Sequence, residues 1–127
     1  MNLIYTLENI STNNSTNNCI IYFYNKHKNR KYKINIGFIR FHIEYSQIII
    51  SLLFIYEEYR GKGLGTKVLE IFEKYILQNH KTIKDLVLIP EYFNGIEKNG
   101  LCLFYEKNGF IQESKGLPVY IKNIKTQ

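Results

Sequence analysis

The residues with the clearest chemical potential form the turn Arg60-Gly61-Lys62-Gly63-Leu64-Gly65. Its glycines leave backbone N–H groups open to a ligand, because no Cβ stands in the way. A helical pattern of apolar residues begins at Leu64, and the first N–H groups of a helix have no partner within it. Such groups bind anions, and Arg60 and Lys62 add positive charge beside them. The turn is therefore predicted to hold a polyphosphate, although a plain loop using glycine for turning and lysine for solubility would have the same composition.

Two familiar phosphate-binding motifs do not fit this turn. A Walker A loop ends in Gly-Lys-Ser/Thr, whereas here Thr66 precedes Lys67. The dinucleotide-binding fingerprint requires a different glycine spacing within a parallel βαβ unit, and the segments upstream of this turn are predicted to form antiparallel strands.

The residues before the turn are predicted to form an antiparallel meander. Tyr32 to Tyr45 nearly alternates apolar and polar residues, which indicates a strand with one wet face. Gln47 to Ile55 is more continuously apolar, as a buried central strand would be. The polar residues 11–18 are predicted to form a loop. Strands are expected at 2–8, 19–25, 32–45 and 47–55.

The residues after the turn change to a helical period. Apolar residues at Leu64, Val68, Phe72 and Ile76 form one stripe, which predicts an amphipathic helix. A buried strand at 85–90, a helix at 96–108 closed by Gly109, and strands at 110–113 and 119–122 complete the chain. The fold class is therefore α/β (α+β), with a mixed, mostly antiparallel central sheet and flanking helices. Residues 1–127 are predicted to be a single domain, because they contain no internal repeat or linker.

Composition restricts the remaining possibilities. The net charge of +6 suits an anionic partner, although AT-rich coding accounts for part of the lysine excess. No segment reaches the roughly 18 apolar residues of a membrane span, and Met1 to Tyr5 lacks the pattern of a signal peptide, so a cytoplasmic protein is expected. Cys19 and Cys102 are expected to be free thiols, and no metal-binding spacing is present.

Two segments resemble the GNAT (Gcn5-related N-acetyltransferase) superfamily. Tyr59 to Leu69 is similar to its acetyl-CoA signature, Arg/Gln-x-x-Gly-x-Gly/Ala, matched here by Arg60, Gly63 and Gly65. Leu103 to Phe110 resembles the family's late motif, aromatic-Tyr-x-Lys-x-Gly-Phe. The resemblance covers about residues 33–123.

This resemblance implies direct transfer of an acetyl group from acetyl-CoA to a primary amine. The cosubstrate would lie between the strands at 47–55 and 85–89. Backbone groups of Phe54 and Ile55 would hold the pantetheine arm. Tyr105 would donate a proton to the departing thiolate. The pyrophosphate would bind the amides of the turn, namely Arg60, Gly61, Lys62, Gly63, Leu64, Gly65 and Thr66.

Two departures from the family pattern affect the predicted chemistry. Members usually carry one or two helices between the first two strands, whereas this chain offers the polar loop 10–18, so an open acceptor side is expected. Some members place a glutamate base on the strand matching 47–55, where this chain offers Gln47 and Ser51. The acceptor is accordingly predicted to be an exposed amine, for example on a protein or peptide, with no metal involved; a homodimer stays open.

Two alternative functions remain beside the active enzyme. A domain that binds acyl-CoA but has lost catalysis would lack a base in the same way. A basic nucleic-acid-binding module would explain the charge, but the chain has no recognisable nucleic-acid motif. Several further residues could act at a site, and each has an ordinary structural interpretation as well: Glu91, Tyr92, His42, Cys102 and the aromatic residues of 22–32.

Overall fold

The structure, a computed structural model, describes residues 2–11, 17–26, 31–88, 98–114 and 119–124. In this part of the chain one sheet has the strand order β1-β2-β3-β4-β5-β7-β6. The strands are β1 (Leu3–Ser11), β2 (Asn17–Asn25), β3 (Ile34–Glu44), β4 (Gln47–Ile55), β5 (Asp85–Leu88), β6 (Ile111–Gln112) and β7 (Tyr120–Asn123). The helices are α1 (Leu64–Asn79) and α2 (Lys98–Lys107), and a short 3₁₀ turn, Glu57–Tyr59, precedes α1.

The predicted order of elements and the mixed, mostly antiparallel sheet are confirmed. The main difference lies in the polar segment predicted as a loop over 11–18. Its two ends belong to strands, because Ser11 pairs with Asn17 and Ile10 with Asn18. Pairing between β1 and β2 extends both strands into the polar segment, although the composition of that segment alone predicts a loop.

Strands β4 and β5 run parallel, and their pairing joins Gln47–Ile50 to Asp85–Leu88. Immediately beyond this pairing β4 contains a β-bulge. Arg40 of β3 faces Leu52 and Phe41 faces Ile50, which leaves Ser51 as the extra residue. A bulge bends its strand and increases its twist. The last residues of β4 are thereby directed away from the line of the paired segment.

The core lies between α1 and one face of the sheet. Because strand residues alternate between faces, Ile39 and Phe41 of β3 point toward α1, and the Phe41 ring meets Phe72 of α1 at 5.0 Å between centroids. The apolar stripe of α1 predicted from the sequence is buried, and it comprises Leu64, Val68, Leu69, Phe72 and Ile76. This packing fixes the N-terminal end of α1 against the end of β4.

The second helix is anchored to the same face of the sheet. It ends as predicted at Gly109, whose φ of +92° belongs to the left-handed region that favours glycine. The Lys122 side chain of β7 passes over Gly109, where a Cβ would lie 3.0 Å from its Cε, and forms an ion pair with Glu73 of α1. This arrangement ties α1, β7 and the end of α2 together.

The connection between the first two strands is short. β1 ends at Ser11 and β2 begins at Asn17, which is too close for the one or two helices that members of the resembled family usually carry there, as the sequence predicts. Within the part of the chain described, no helix is long and apolar enough to cross a membrane.

Candidate active site

A cavity of about 360 Å³ opens where the end of β4, the start of α1 and the last turns of α2 meet. Its walls come from the end of β4 and the turn that closely follows it, and from the more distant α2, which packing of both helices on the sheet brings beside them. The lining residues are Leu53, Phe54 and Ile55 of β4, Tyr59, Arg60, Gly61, Gly63, Leu64, Gly65 and Thr66 around the turn, and Phe104, Tyr105, Lys107 and Asn108 of α2 and its end. Of the predicted site residues, Lys62 alone is absent from this lining, and its side chain is exposed.

Two glycines of the turn are required by backbone conformation. Gly61 has φ +75° and Gly63 has φ +76°, a region in which a side chain costs roughly 1–2 kcal/mol. A Cβ at either position would meet no atom within 4 Å. Since both residues line the cavity, a larger side chain there would be strained and would project into open space beside the site.

The N-terminal end of α1 presents unbonded amides to this cavity. The first hydrogen bond involving the start of the helix runs from the Lys67 N–H to the Gly63 carbonyl, at 3.3 Å. The N–H groups of Leu64, Gly65 and Thr66 precede it and have no acceptor within the helix. No side chain caps α1, and its first turn contains no acidic residue. The positive end of the helix is therefore left for an anion.

The third glycine, Gly65, has a different structural reason from the other two. It lies inside α1 with no positive φ, and a Cβ there would lie 2.8 Å from Cζ and 3.0 Å from Cε1 of Phe104. The sequence indicates that this glycine clears space for a ligand. In the structure its missing side chain makes room for the ring of Phe104.

Arg60 connects the turn to β4. Its Nε donates a hydrogen bond to the carbonyl of Ile55 at 2.7 Å, and its guanidinium lies 5.2 Å from the centroid of the Phe54 ring. The Arg60 amide donates to the carbonyl of Glu57 at 3.1 Å and closes the 3₁₀ turn. The amides that face the cavity without a bond inside the turn thus begin after Arg60.

Phe54 and Ile55, which the resemblance predicts to hold the pantetheine arm, lie on the wall of the cavity. Their backbone is set by a close approach of β3. A Cβ at Gly37 would lie 2.2 Å from the Phe54 carbonyl oxygen, so glycine is needed for the two strands to meet at this point. The Ile55 carbonyl is held from the other side by Arg60. The end of β4 is therefore fixed at two successive residues.

Tyr105 lies on the α2 wall and is 5% exposed. Its ring packs against Phe104 at 5.4 Å and Phe110 at 5.7 Å between centroids, in edge-on geometry. The aromatic packing holds this side chain in one place between the cavity and the core.

Comparison with known proteins identifies the architecture. The family described as acetyltransferase (GNAT) domain matches residues 16–112, which is most of the chain. The chain belongs to the GNAT family. Among solved structures, the PaiA N-acetyltransferase from Thermoplasma acidophilum in complex with coenzyme A is 25% identical with a TM-score of 0.58, and the match covers 82% of this chain and 60% of that one. The chain thus spans less than two thirds of that relative's length.

Two further solved structures have a similar fold at lower identity. A GNAT acetyltransferase from Staphylococcus aureus Mu50 is 19% identical with a TM-score of 0.63, covering 85% of this chain and 68% of that one. A chain of the KacTA–DNA complex is 12% identical with a TM-score of 0.66, covering 95% and 94%. At these identities the likeness concerns the fold. A search of curated proteins found no match.

The residues of the cavity are chemically suited to coenzyme A, the molecule present in the PaiA N-acetyltransferase structure. Unbonded amides at the start of α1 suit a pyrophosphate, and the end of β4 offers a strand-like edge for the amide groups of pantetheine. The side chains of Leu53, Ile55 and Phe104 provide an apolar wall. Leu53, Tyr59, Phe104, Lys107 and Asn108 line the cavity although sequence reasoning did not select them. Phe104 precedes Tyr105 in the late motif, and this position next to a predicted site residue is the sequence feature that could have identified it.

The remaining sequence candidates among the described residues lie outside this cavity. His42 lies on β3 with its Nε2 3.7 Å from Glu44, and the Ser51 hydroxyl donates to the Arg40 carbonyl at 3.3 Å beside the bulge. Gln47 begins β4, at the opposite end from the cavity. Glu91 and Tyr92 fall outside the described residues, as does the side chain of Cys102. The described residues contain no group of three His, Cys, Asp or Glu placed to bind a metal.

Proposed function

We propose that this protein is an N-acetyltransferase that moves an acetyl group from acetyl-CoA to a primary amine by direct attack in a ternary complex. The observation that carries the proposal is one cavity in which the unbonded amides of α1, the fixed end of β4 and the buried Tyr105 face each other. These are the parts needed to bind a phosphate-bearing thioester and to assist its departing sulfur.

The chain's own residues would act as follows. Amides of Gly61 to Thr66 would bind the pyrophosphate, and the backbone at Phe54 and Ile55 would orient the pantetheine arm and polarise the thioester carbonyl. The amine nitrogen forms a bond to the carbonyl carbon while the carbon–sulfur bond breaks. The hydroxyl of Tyr105 would donate a proton to the leaving sulfur. The attacking nitrogen, positively charged after it bonds to the carbonyl carbon, loses a proton as the neutral amide forms, and solvent returns a proton to Tyr105.

Binding and turnover test this proposal in sequence. At 100 times its dissociation constant, acetyl-CoA should raise the free energy of unfolding by about 2.7 kcal/mol, which thermal denaturation detects. Turnover is then followed as release of free coenzyme A thiol with a panel of amines. Absence of any thermal shift with acetyl-CoA at millimolar concentration would contradict the assignment. Longer acyl-CoAs in the same assay identify the preferred acyl group.

The second candidate is a GNAT domain that binds acyl-CoA without catalysis. It is favoured by one observation, that the described residues lining the cavity include no Asp, Glu or His to serve as a base. A thermal shift with acetyl-CoA but no thiol release with any amine across pH 7–9.5 would support this candidate. An alkaline pH, which deprotonates the amine without a base, makes this comparison stringent.

The acceptor is proposed to be an exposed amine on a peptide or protein. Among the residues that the structure describes, no helix covers the sheet face opposite α1, and the connection between β1 and β2 is short. That face carries neighbouring rings of Tyr22, Phe38 and Phe54, whose centroids are 5.9 and 5.6 Å apart. An open face next to the β4 end suits an extended substrate. A screen in which a small amine has a micromolar KM while all peptides are inert would contradict this.

A further inference from the structure

We propose that Phe104 is a positioning residue for the bound acyl-CoA, and that Gly65 is glycine in order to seat its ring. In this arrangement the glycine turn and the late helix act as one unit. The inference deepens the proposed function and rests on it. In this inference Phe104 forms part of the cavity wall that contacts the acyl-CoA. Gly65 leaves space for the Phe104 ring, and not for the phosphate.

The first argument comes from the cost of glycine at this position. Gly65 is the second residue of α1 and has no positive φ, so its conformation does not call for glycine. Glycine in a helix is less favourable than alanine by as much as about 1 kcal/mol. Gly61 and Gly63 are different, because their positive φ values favour glycine and a Cβ on either residue would meet no atom within 4 Å.

The second argument is the contact itself. A Cβ on Gly65 would lie 2.8 Å from Cζ of Phe104, closer than real Cβ atoms approach other atoms, and 3.0 Å from Cε1, which is a tight contact. The end of the Phe104 ring would therefore have to move. The half-buried ring therefore occupies the volume that an alanine methyl group would need. Gly65 and Phe104 both line the cavity, so the ring stands beside the amides that are proposed to bind phosphate.

The third argument links this contact to the chemistry. The Phe104 ring also packs edge-on against Tyr105, with centroids 5.4 Å apart and planes at 66°. A side chain at Gly65 would push the ring into the cavity that it lines or shift α2 together with Tyr105. Either movement would weaken cofactor binding without any new side chain touching the phosphates.

The test is a double-mutant cycle of Gly65→Ala and Phe104→Leu. Leucine lacks the Cε and Cζ atoms that approach Gly65, so the second substitution removes the collision. Calorimetry with acetyl-CoA gives the dissociation constants, and thermal denaturation gives stability in parallel. We expect Gly65→Ala alone to weaken binding at least about tenfold, and the double variant to bind no more weakly than Phe104→Leu alone.

Gly61→Ala is the matched control, because it adds the same methyl group in the same turn but next to open space. Its defect comes from the positive φ of +75°, so Phe104→Leu should not correct it. If Gly65→Ala alone fails to fold, the double variant still decides, since removing the ring atoms should restore folding and binding together.

If the loss of affinity in the double variant equals the product of the losses in Gly65→Ala and Phe104→Leu, the inference is overturned. Gly65 would then be glycine because the ligand needs the space. If the wild-type protein binds acetyl-CoA and the losses in the variants multiply, the inference is overturned and the proposed function is kept. Wild-type protein that does not bind acetyl-CoA overturns the proposed function and this inference with it. The two failures are therefore distinguished by the wild-type titration.

Discussion

Replacing Arg60 by alanine separates two roles of that side chain, stabilising the end of β4 and adding charge beside a bound phosphate. The substitution removes the 2.7 Å hydrogen bond to the Ile55 carbonyl and the contact with the Phe54 ring at 5.2 Å. A hydrogen bond from a charged donor contributes about 1.5–3 kcal/mol, and an exposed cation–π contact about 0.5–1 kcal/mol. Because Arg60 is half-buried, water will replace part of both, and we expect a net loss of about 2 kcal/mol.

For a chain of 127 residues this corresponds to a fall in Tm of about 6–10 °C. Lys62→Ala is the matched control, since it removes a charge from the same turn but an exposed one. Surface substitutions of this kind change stability by no more than about 0.5 kcal/mol. Acetyl-CoA affinity should fall in both variants, and less than in a Gly63 variant, because backbone amides supply much of the phosphate binding.

Arg60→Gln completes the design, because an amide N–H can still donate to the Ile55 carbonyl without carrying charge. We expect its Tm to lie between those of Arg60→Ala and the wild type. Differential scanning fluorimetry without ligand measures the stability, and calorimetry at two salt concentrations measures the charge effect. Equal Tm values for Arg60→Ala and Lys62→Ala would refute the reasoning, because the contact between the turn and β4 would then contribute nothing measurable.

Three further results are expected. Tyr105→Phe should lower kcat by at least about tenfold with little change in acetyl-CoA affinity or Tm, because it removes one oxygen from a packed ring; wild-type turnover with chemistry rate-limiting would show that protons reach the sulfur from water. Gly63→Val should abolish acetyl-CoA binding in calorimetry and cost roughly 1–2 kcal/mol of stability through its φ of +76°, whereas wild-type affinity would remove the turn from the site. Burial raises the pKa of Cys19 above its ordinary 9.0, and burial together with Cys19 and Tyr5 raises the pKa of Tyr75 above 10.0. The unfolded chain therefore loses these protons at lower pH than the folded one, and the free energy of unfolding should fall as the pH rises above about 9. Chemical denaturation at several pH values should find a shallower fall in Cys19→Ala. An unchanged dependence of the free energy of unfolding on pH would count against the burial of this thiol.

Local patterns were sufficient to predict the elements that carry the site. Strand β4 and helix α1 begin where the sequence indicates, because a continuous apolar run and a 3.6-residue stripe depend on neighbours along the chain. The glycine turn was likewise recognisable, since Gly61 and Gly63 are needed for the local backbone. The turn residues that the sequence predicts to bind the cosubstrate line the cavity, apart from Lys62, and their binding of it stays a prediction.

The contacts that give the site its shape could not be predicted from these patterns. The bulge at Ser51 depends on how β3 and β4 share their pairing, and the bond from Arg60 to Ile55 depends on where the turn folds back. The close contact of the Phe104 ring with Gly65 connects the glycine turn with the late motif, which are separate segments in the sequence. Each of these depends on atoms that meet after packing, about which the spacing of residue types carries no information.

The pairing of β4 with β5 has a consequence for how the protein folds. Strands β1 to β4 follow one another as neighbours in the sheet, so they can form from contacts between adjacent segments. The pairing of Gln47–Ile50 with Asp85–Leu88 joins segments that α1 separates in the chain, and we expect this pairing and those of β7 and β6 to form after the meander. Pairings over long sequence separations form slowly. The cavity is lined by α2, which follows β5 in the chain, as well as by the end of β4 and the turn. We therefore expect the cavity to be completed late in folding, and hydrogen exchange in β5 and β7 should slow more than in β1 and β2 when acetyl-CoA is added.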